Sequence, residues 1–212
     1  MRKTLALLAP VAALLASPAA AATAISYTPG SNILGNNQII FQSFDVLGPT
    51  GLHSAVYSSG VTNQAAQPIG STGGFLAVGN TATGFPSNFG YYSLNLPVAA
   101  PVVSFLLGTL DSYNTVILNY ANGSSDSYTG NQIIGGGVFT QDGRVTYDVS
   151  SANSLNFISN ISFISSQAAM EIDDVASAAP EPGAWLMMIL GFGLIGSALR
   201  NRNKLETGLA LS

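Results

Sequence analysis

Between residues 38 and 175 apolar positions recur every second residue rather than every third or fourth. Val116, Leu118 and Tyr120 alternate with Ile117 and Asn119. Val145, Tyr147 and Val149 alternate with Thr146, Asp148 and Ser150, and Phe157, Ile161 and Phe163 are set among Ile158, Asn160 and Ser162. A period of two puts one set of side chains on a buried face and the other toward solvent, the pattern of a half-buried strand. Further short strands are predicted over residues 38–44, 55–58, 75–78, 91–96, 102–107, 132–134 and 169–175. Pro29-Gly30, Gly48-Pro49, Asn122-Gly123, Gly135-Gly136-Gly137 and Asp142-Gly143 punctuate them as turns, the last as a two-residue hairpin. Many short strands and no long amphipathic helix predict an all-β body, a β-sandwich or jelly roll. Asn-Gln-Ile-Ile occurs at 37–40 and again at 131–134, too short a match to make a repeat.

Composition narrows what such a body can do. The 212 residues include no cysteine and one histidine, and 8% are charged, against about 25% in an ordinary soluble domain. Disulfide scaffolds, thiol nucleophiles and multi-histidine metal sites are excluded. Over residues 25–176 eight acidic side chains face Arg144 alone, which argues against nucleic acid as a partner.

The two ends differ from the body. Arg2 and Lys3 precede an apolar run from Leu5 to Ala16, followed by small residues at Ala20-Ala21-Ala22. This is the layout of a secretory signal over residues 1–22, with cleavage as late as residue 24. Residues 177–183 read as a linker. Residues 184–199 form an uncharged apolar segment, followed by Arg200, Arg202 and Lys204. Sixteen helical residues rise about 24 Å, so a transmembrane helix here needs Trp185 at one interface and the basic residues snorkelling at the other. The positive-inside rule puts residues 200–212 in the cytoplasm as a basic tail and the body outside. Gly191-Phe192-Gly193-Leu194-Ile195-Gly196 matches G-x-G-x-x-G, but no βαβ unit surrounds it and no acidic residue follows at the right spacing. These glycines are read as positions of a membrane helix.

The tail, from Pro180-Glu181-Pro182 through Trp185 and Met187-Met188 to the basic finish, resembles the PEP-CTERM sorting signal in its PEPxxWA form. Leu186 stands where that form has alanine, and Asn201 and Asn203 interrupt the basic residues. The resemblance implies recognition by an exosortase, a membrane-embedded processing enzyme, and delivery to the cell surface or extracellular matrix beside exopolysaccharide. Two segments of the body resemble exosortase-dependent surface proteins as well. Residues 105–116 are similar to a GSxDxYNTV segment, and residues 169–175 to an AFEIDNI terminal strand. That family implies a β-sandwich surface domain.

Few residues are candidates for chemistry. Glu171 and Asp173 lie two apart and are expected on one strand face, with Asp174 on the other. Carboxylates so placed can ligate Ca²⁺ together with backbone carbonyls, as a structural cofactor. Asp111, Tyr113 and Asn114 follow an apolar strand; they are either ligand-facing groups for a sugar or a turn capped by its own side chains. His53 stands alone, and no G-x-S-x-G occurs. The sequence therefore predicts no catalytic residue. It describes a non-enzymatic, exported envelope protein with a structural or adhesive body that can bind glycan. The alternative is a secreted polysaccharide hydrolase working through Asp or Glu.

Overall fold

The computed structural model describes residues 23–46, 51–62, 64–79, 89–135, 142–151, 153–167, 169–179, 188–197 and 200. Their main elements are eleven strands: β1 (Ala24–Pro29), β2 (Gln38–Gln42), β3 (Ser54–Tyr57), β4 (Phe75–Val78), β5 (Gly90–Ala100), β6 (Val102–Leu107), β7 (Asn114–Tyr120), β8 (Ser125–Thr129), β9 (Gly143–Asp148), β10 (Ile158–Ser165) and β11 (Met170–Ala178). A single helical turn, α1 (Gly130–Ile133), follows β8, and a 3-10 turn spans Ser154–Asn156.

The strands pair antiparallel into two sheets. The larger runs β1-β9-β6-β11-β4-β3, with β2 added beside β11, and the smaller runs β5-β10-β7-β8. The two apolar faces meet in one core. Val103, Phe105 and Leu107 of β6, Val145 and Tyr147 of β9, and Ile172 of β11 pack against Val116, Leu118, Ile161 and Phe163 of the smaller sheet. Phe105 joins the layers: its ring meets Phe163 edge-on at 5.0 Å and stacks beside Tyr147 at 6.2 Å.

The alternation of β7 and β9 emerges as expected, with Val116, Leu118, Tyr120, Val145 and Tyr147 all buried. In β10 the phase differs. Ile158 is fully buried, whereas Phe157 is only partly so, because a bulge between Ile158 and Asn160 inserts a residue and shifts the alternation. The strand expected over 132–134 instead falls on the end of α1 and its C-cap, Ile134. There the side chain of Gln132 accepts from the Thr129 N–H at 2.8 Å, as in a capping box, and starts a helical turn. The sequence pattern did not signal β1 or β8. The expected hairpin at Asp142-Gly143 begins in residues outside the described set, although Gly143 does open β9.

Part of the outer face of the larger sheet is also covered. Ala65 packs with Phe75, Ala77 and Ala169 in a second small cluster, and Tyr57 stacks on Phe75 at 6.0 Å. The chain between β3 and β4 thereby closes over β4 and the start of β11. The sequence pattern did not forecast this second burial.

Candidate functional site

β11 carries Met170 and Ile172 toward the inter-sheet core, so Glu171 and Asp173 point together to the opposite face. That face lies under the β3–β4 segment, and the two carboxylates are 3% and 1% exposed. Glu171 accepts from the Ala66 N–H at 2.9 Å, from the Thr109 N–H at 3.1 Å and from the Thr109 hydroxyl. Burial pushes its pKa up, and these hydrogen bonds hold it back. Its two oxygens already take three protein donors, so a cation there would compete with the bonds that fasten the covering segment. Gly108 permits the approach, since a Cβ there would lie 2.6 Å from the Ala66 carbonyl oxygen.

Asp173 sits in different surroundings. Burial pushes its carboxyl up to about 7, and the charges of Asp174 and Asp45 add to the shift. The neighbouring Ser71 hydroxyl and the Asp174 N–H, 2.7 Å away, oppose it. Asp45 in turn accepts from the Gly74 N–H at 3.0 Å. The strict alternation expected for Asp174 breaks. Asp174 has φ 45°, a left-handed residue in an irregular stretch of β11, and Val175 takes the inward position. Arg144, the cation of the body, compensates this group. It is buried, donates to the Ser104 hydroxyl at 3.0 Å and to the Asp174 carbonyl at 3.2 Å, and lowers the Asp174 pKa against the effect of burial. The Ser104 hydroxyl in turn donates to the side-chain oxygen of Gln38 at 2.7 Å, so this network ties β2, β6, β9 and β11 together. Among the described residues no group of three or more His, Asp or Glu side chains is arranged to hold a metal ion.

Asp111, Tyr113 and Asn114 do come together, as a turn. The Asn114 N–H donates to the Asp111 carbonyl at 3.0 Å, the Asn114 side-chain oxygen accepts from the Asp111 N–H, and the Tyr113 hydroxyl donates to the Asp111 carboxylate at 2.6 Å. Asn114 is fully buried and its amide also donates to Ser165 at 3.0 Å. These side chains are spent on the connection into β7. His53 is half-buried, and its Nδ1 lies 2.9 Å from the Phe89 carbonyl oxygen.

The outer face of the smaller sheet holds what sequence reasoning passed over. Ser93↔Ser162↔Ile117 and Asn95↔Asn160↔Asn119 form two rows across β5, β10 and β7. Asn160 is the hub. Its amide nitrogen donates to Asn95 Oδ1 at 2.8 Å and Ser93 Oγ at 2.9 Å; its oxygen accepts from Asn119 Nδ2 at 2.8 Å and Ser162 Oγ at 3.1 Å. Tyr91 closes the patch, its hydroxyl 3.3 Å from Ser162 Oγ. The available signal was a set of uncharged Asn and Ser at alternate positions of three strands.

The sorting residues Pro180, Glu181, Pro182 and Trp185, together with Arg202 and Lys204, lie outside the described residues, as does the expected signal segment; Arg200 is exposed. Residues 188–197 are helical, and no helix among the described residues is long and apolar enough to cross a membrane. Where β11 ends, an apolar cleft of about 520 Å³ opens between Ile39, Phe41, Val98, Phe157 and Ala179.

Residues 178–203 match the family model of the PEP-CTERM protein-sorting motif. Two solved structures overlap the chain. One is the family 11 carbohydrate-binding module of the cellulosomal cellulase Lic26A-Cel5E of Clostridium thermocellum, at 15% identity and a TM-score of 0.36, covering 68% of this chain and 95% of that one. The other is TmCBM61 in complex with beta-1,4-galactotriose, at 14% identity and a TM-score of 0.31, covering 66% of this chain and 97% of that one. No curated protein matches the chain.

Proposed function

We propose that this protein, which carries a PEP-CTERM sorting motif at residues 178–203, is an exported component of the cell envelope or extracellular matrix. In this reading residues 1–22 direct export. Residues 184–199 hold the precursor in the inner membrane with residues 200–212 on the cytoplasmic side. An exosortase then acts on the tail within the linker read at residues 177–183, beyond Ser177 and Ala178, which belong to β11. The body, residues 25–176, is non-enzymatic and serves a structural or adhesive role beside exopolysaccharide.

The observation that carries the reading is the junction between body and motif. β11 ends at Ala178, and the motif begins at that same residue. The Ala179 N–H still donates to the Asn37 carbonyl at 2.7 Å, so the ordered body reaches up to the motif with no long spacer between them. A sorting enzyme acting just beyond Ala179 would release the whole sandwich with its sheets complete. The first described residue, Thr23, is also placed by the fold, its hydroxyl 3.0 Å from that of Tyr120.

Intact mass of the protein from envelope and extracellular fractions of the native host tests this. The expected species begins near Thr23 or Ile25 and ends between Pro180 and Pro182. A single species retaining Trp185 through Lys204, found only in membranes, would overturn the sorting reading and leave the tail as a plain anchor.

A further inference from the structure

A solvent-facing sheet surface is normally rich in charged side chains, which keep it soluble and block edge association. The outer face of the smaller sheet departs from this. Ser93, Asn95, Ile117, Asn119, Asn160 and Ser162 carry no charge, and Ser125 and Ser127 extend the two rows onto β8 in register with Asn119 and Ile117. The acidic side chains of the body lie elsewhere: Asp173 is buried under the β3–β4 segment, and Asp126 lies on the other side of β8, opposite Leu118 and accepting from Tyr120.

The patch is also held in place. Asn160 fixes Asn95, Ser93, Asn119 and Ser162 laterally, so these side chains lose little further freedom when a ligand arrives. Among the described residues Asn95 Nδ2 and Asn119 Oδ1 have no protein partner, which leaves a donor and an acceptor on either side of the hub. They sit two strand spacings apart, roughly 10 Å, about the span of two pyranose rings. Tyr91, 38% exposed, reaches one strand over to Ser162, so its ring lies along the face and presents a stacking surface.

We infer that this face binds a neutral, hydroxyl-rich polysaccharide laid across β5, β10 and β7, with Asn95 and Asn119 meeting sugar hydroxyls, Asn160 holding both in place and Tyr91 stacking at the edge. The inference rests on the reading of the body as a matrix component and names its ligand class. Charge selects the class: an uncharged face suits an uncharged polymer, while a body with eight acidic side chains against Arg144 repels polyuronates. Free donors and acceptors fixed on a rigid sheet are the polar part of such a site, and the Tyr91 ring is the apolar part.

Affinity electrophoresis of the full chain in detergent micelles tests it, with gels containing a neutral galactan, a neutral β-glucan or alginate. A neutral polymer is expected to retard the protein and alginate is not. Asn95→Ala and Tyr91→Ala are each expected to weaken retardation tenfold or more with the thermal midpoint preserved, and Asn160→Ala to weaken it with a lowered midpoint. Asn95 is exposed, so its variant reports binding even where Asn160→Ala disturbs the sheet. Unchanged retardation in the Asn95 and Tyr91 variants would overturn this face while leaving glycan binding in place. Stronger retardation by alginate would overturn the neutral class. No retardation by any polymer would overturn the inference, with the sorting reading still decided separately by intact mass. Self-association of the native chain, removed by Asn95→Ala, would overturn it in favour of a second copy as the occupant.

Discussion

Thr109 gives Glu171 two hydrogen bonds at once, one from its backbone N–H and one from its hydroxyl, across 62 residues of sequence. With Ala66 as the third donor, the carboxylate pins the β3–β4 segment to the loop after β6. A buried acceptor with three donors is costly to remove, because each donor is left without water or partner. Glu171→Leu is expected to destabilise by about 3 kcal/mol or more, and Thr109→Val by about 1–2 kcal/mol. Urea midpoints of the two single variants and the double variant check this. Their effects should be non-additive by more than about 0.5 kcal/mol, since both remove the bond from the Thr109 hydroxyl to the Glu171 carboxylate. Simple additivity would show that Glu171 is held by something else.

Acidity should act on the same face. The Asp173 carboxyl is raised to about 7 by burial, and Glu171 moves in the same direction. Between about pH 4 and pH 7 the folded protein therefore keeps a proton that the unfolded chain has released. Stability contributed by this group falls as pH rises through that window and is lowest above it. The thermal midpoint is expected to be higher at pH 5 than at pH 8, and Asp173→Asn should flatten the difference. An equal slope in the variant would remove Asp173 as its source.

Tyr147 is fully buried between Phe105 and Tyr128, and its hydroxyl has no hydrogen-bond partner among the described residues. Removing a buried hydroxyl that makes no bond relieves a desolvation cost while keeping the ring packing. Tyr147→Phe is expected to leave stability unchanged or raise it by about 1 kcal/mol, read as a higher urea midpoint. A loss of stability would reveal a partner for the hydroxyl.

Two glycines separate sterics from backbone conformation. A Cβ at Gly130 would lie 2.1 Å from the Asp111 carbonyl oxygen, where neither backbone can yield. Gly130→Ala is expected to cost about 1–3 kcal/mol and to displace the 111–114 turn. Gly123 has open space around it but φ +85° in the β7–β8 turn. Gly123→Ala should cost about 1–2 kcal/mol through its left-handed backbone alone. Amide chemical shifts near Asn114 should move in the first variant and stay in the second.

Strands with strict alternation, such as β7 and β9, could be placed from the sequence because one of their faces is apolar and the other is not. β8, Ser-Asp-Ser-Tyr-Thr, has no apolar face, so period reasoning passed over it. Asn-Gln-Ile-Ile shows the limit of local pattern: at 38–40 its last three residues lie in β2, while at 131–133 its first three lie in α1. The difference lies outside the tetrapeptide, in pairing with β11 for one copy and in the Thr129–Gln132 bond for the other.

The sequence by itself determined the all-β class, the sorting tail with its order of motif, apolar run and basic finish, and the pairing of Glu171 with Asp173 on one face of a strand. These follow from periodicity, charge and short-range spacing, which a linear chain displays directly. Tertiary structure decided what covers each face. Glu171 and Asp173 are internal because the β3–β4 segment folds over them, and Asp111, Tyr113 and Asn114 are spent on a turn. Asn95, Asn119 and Asn160, spread across three strands, meet only when β5, β10 and β7 pair. A period of two states which side chains share a face. Whether water, another segment or a neighbouring strand lies against that face depends on contacts distant in sequence, which alternation does not encode.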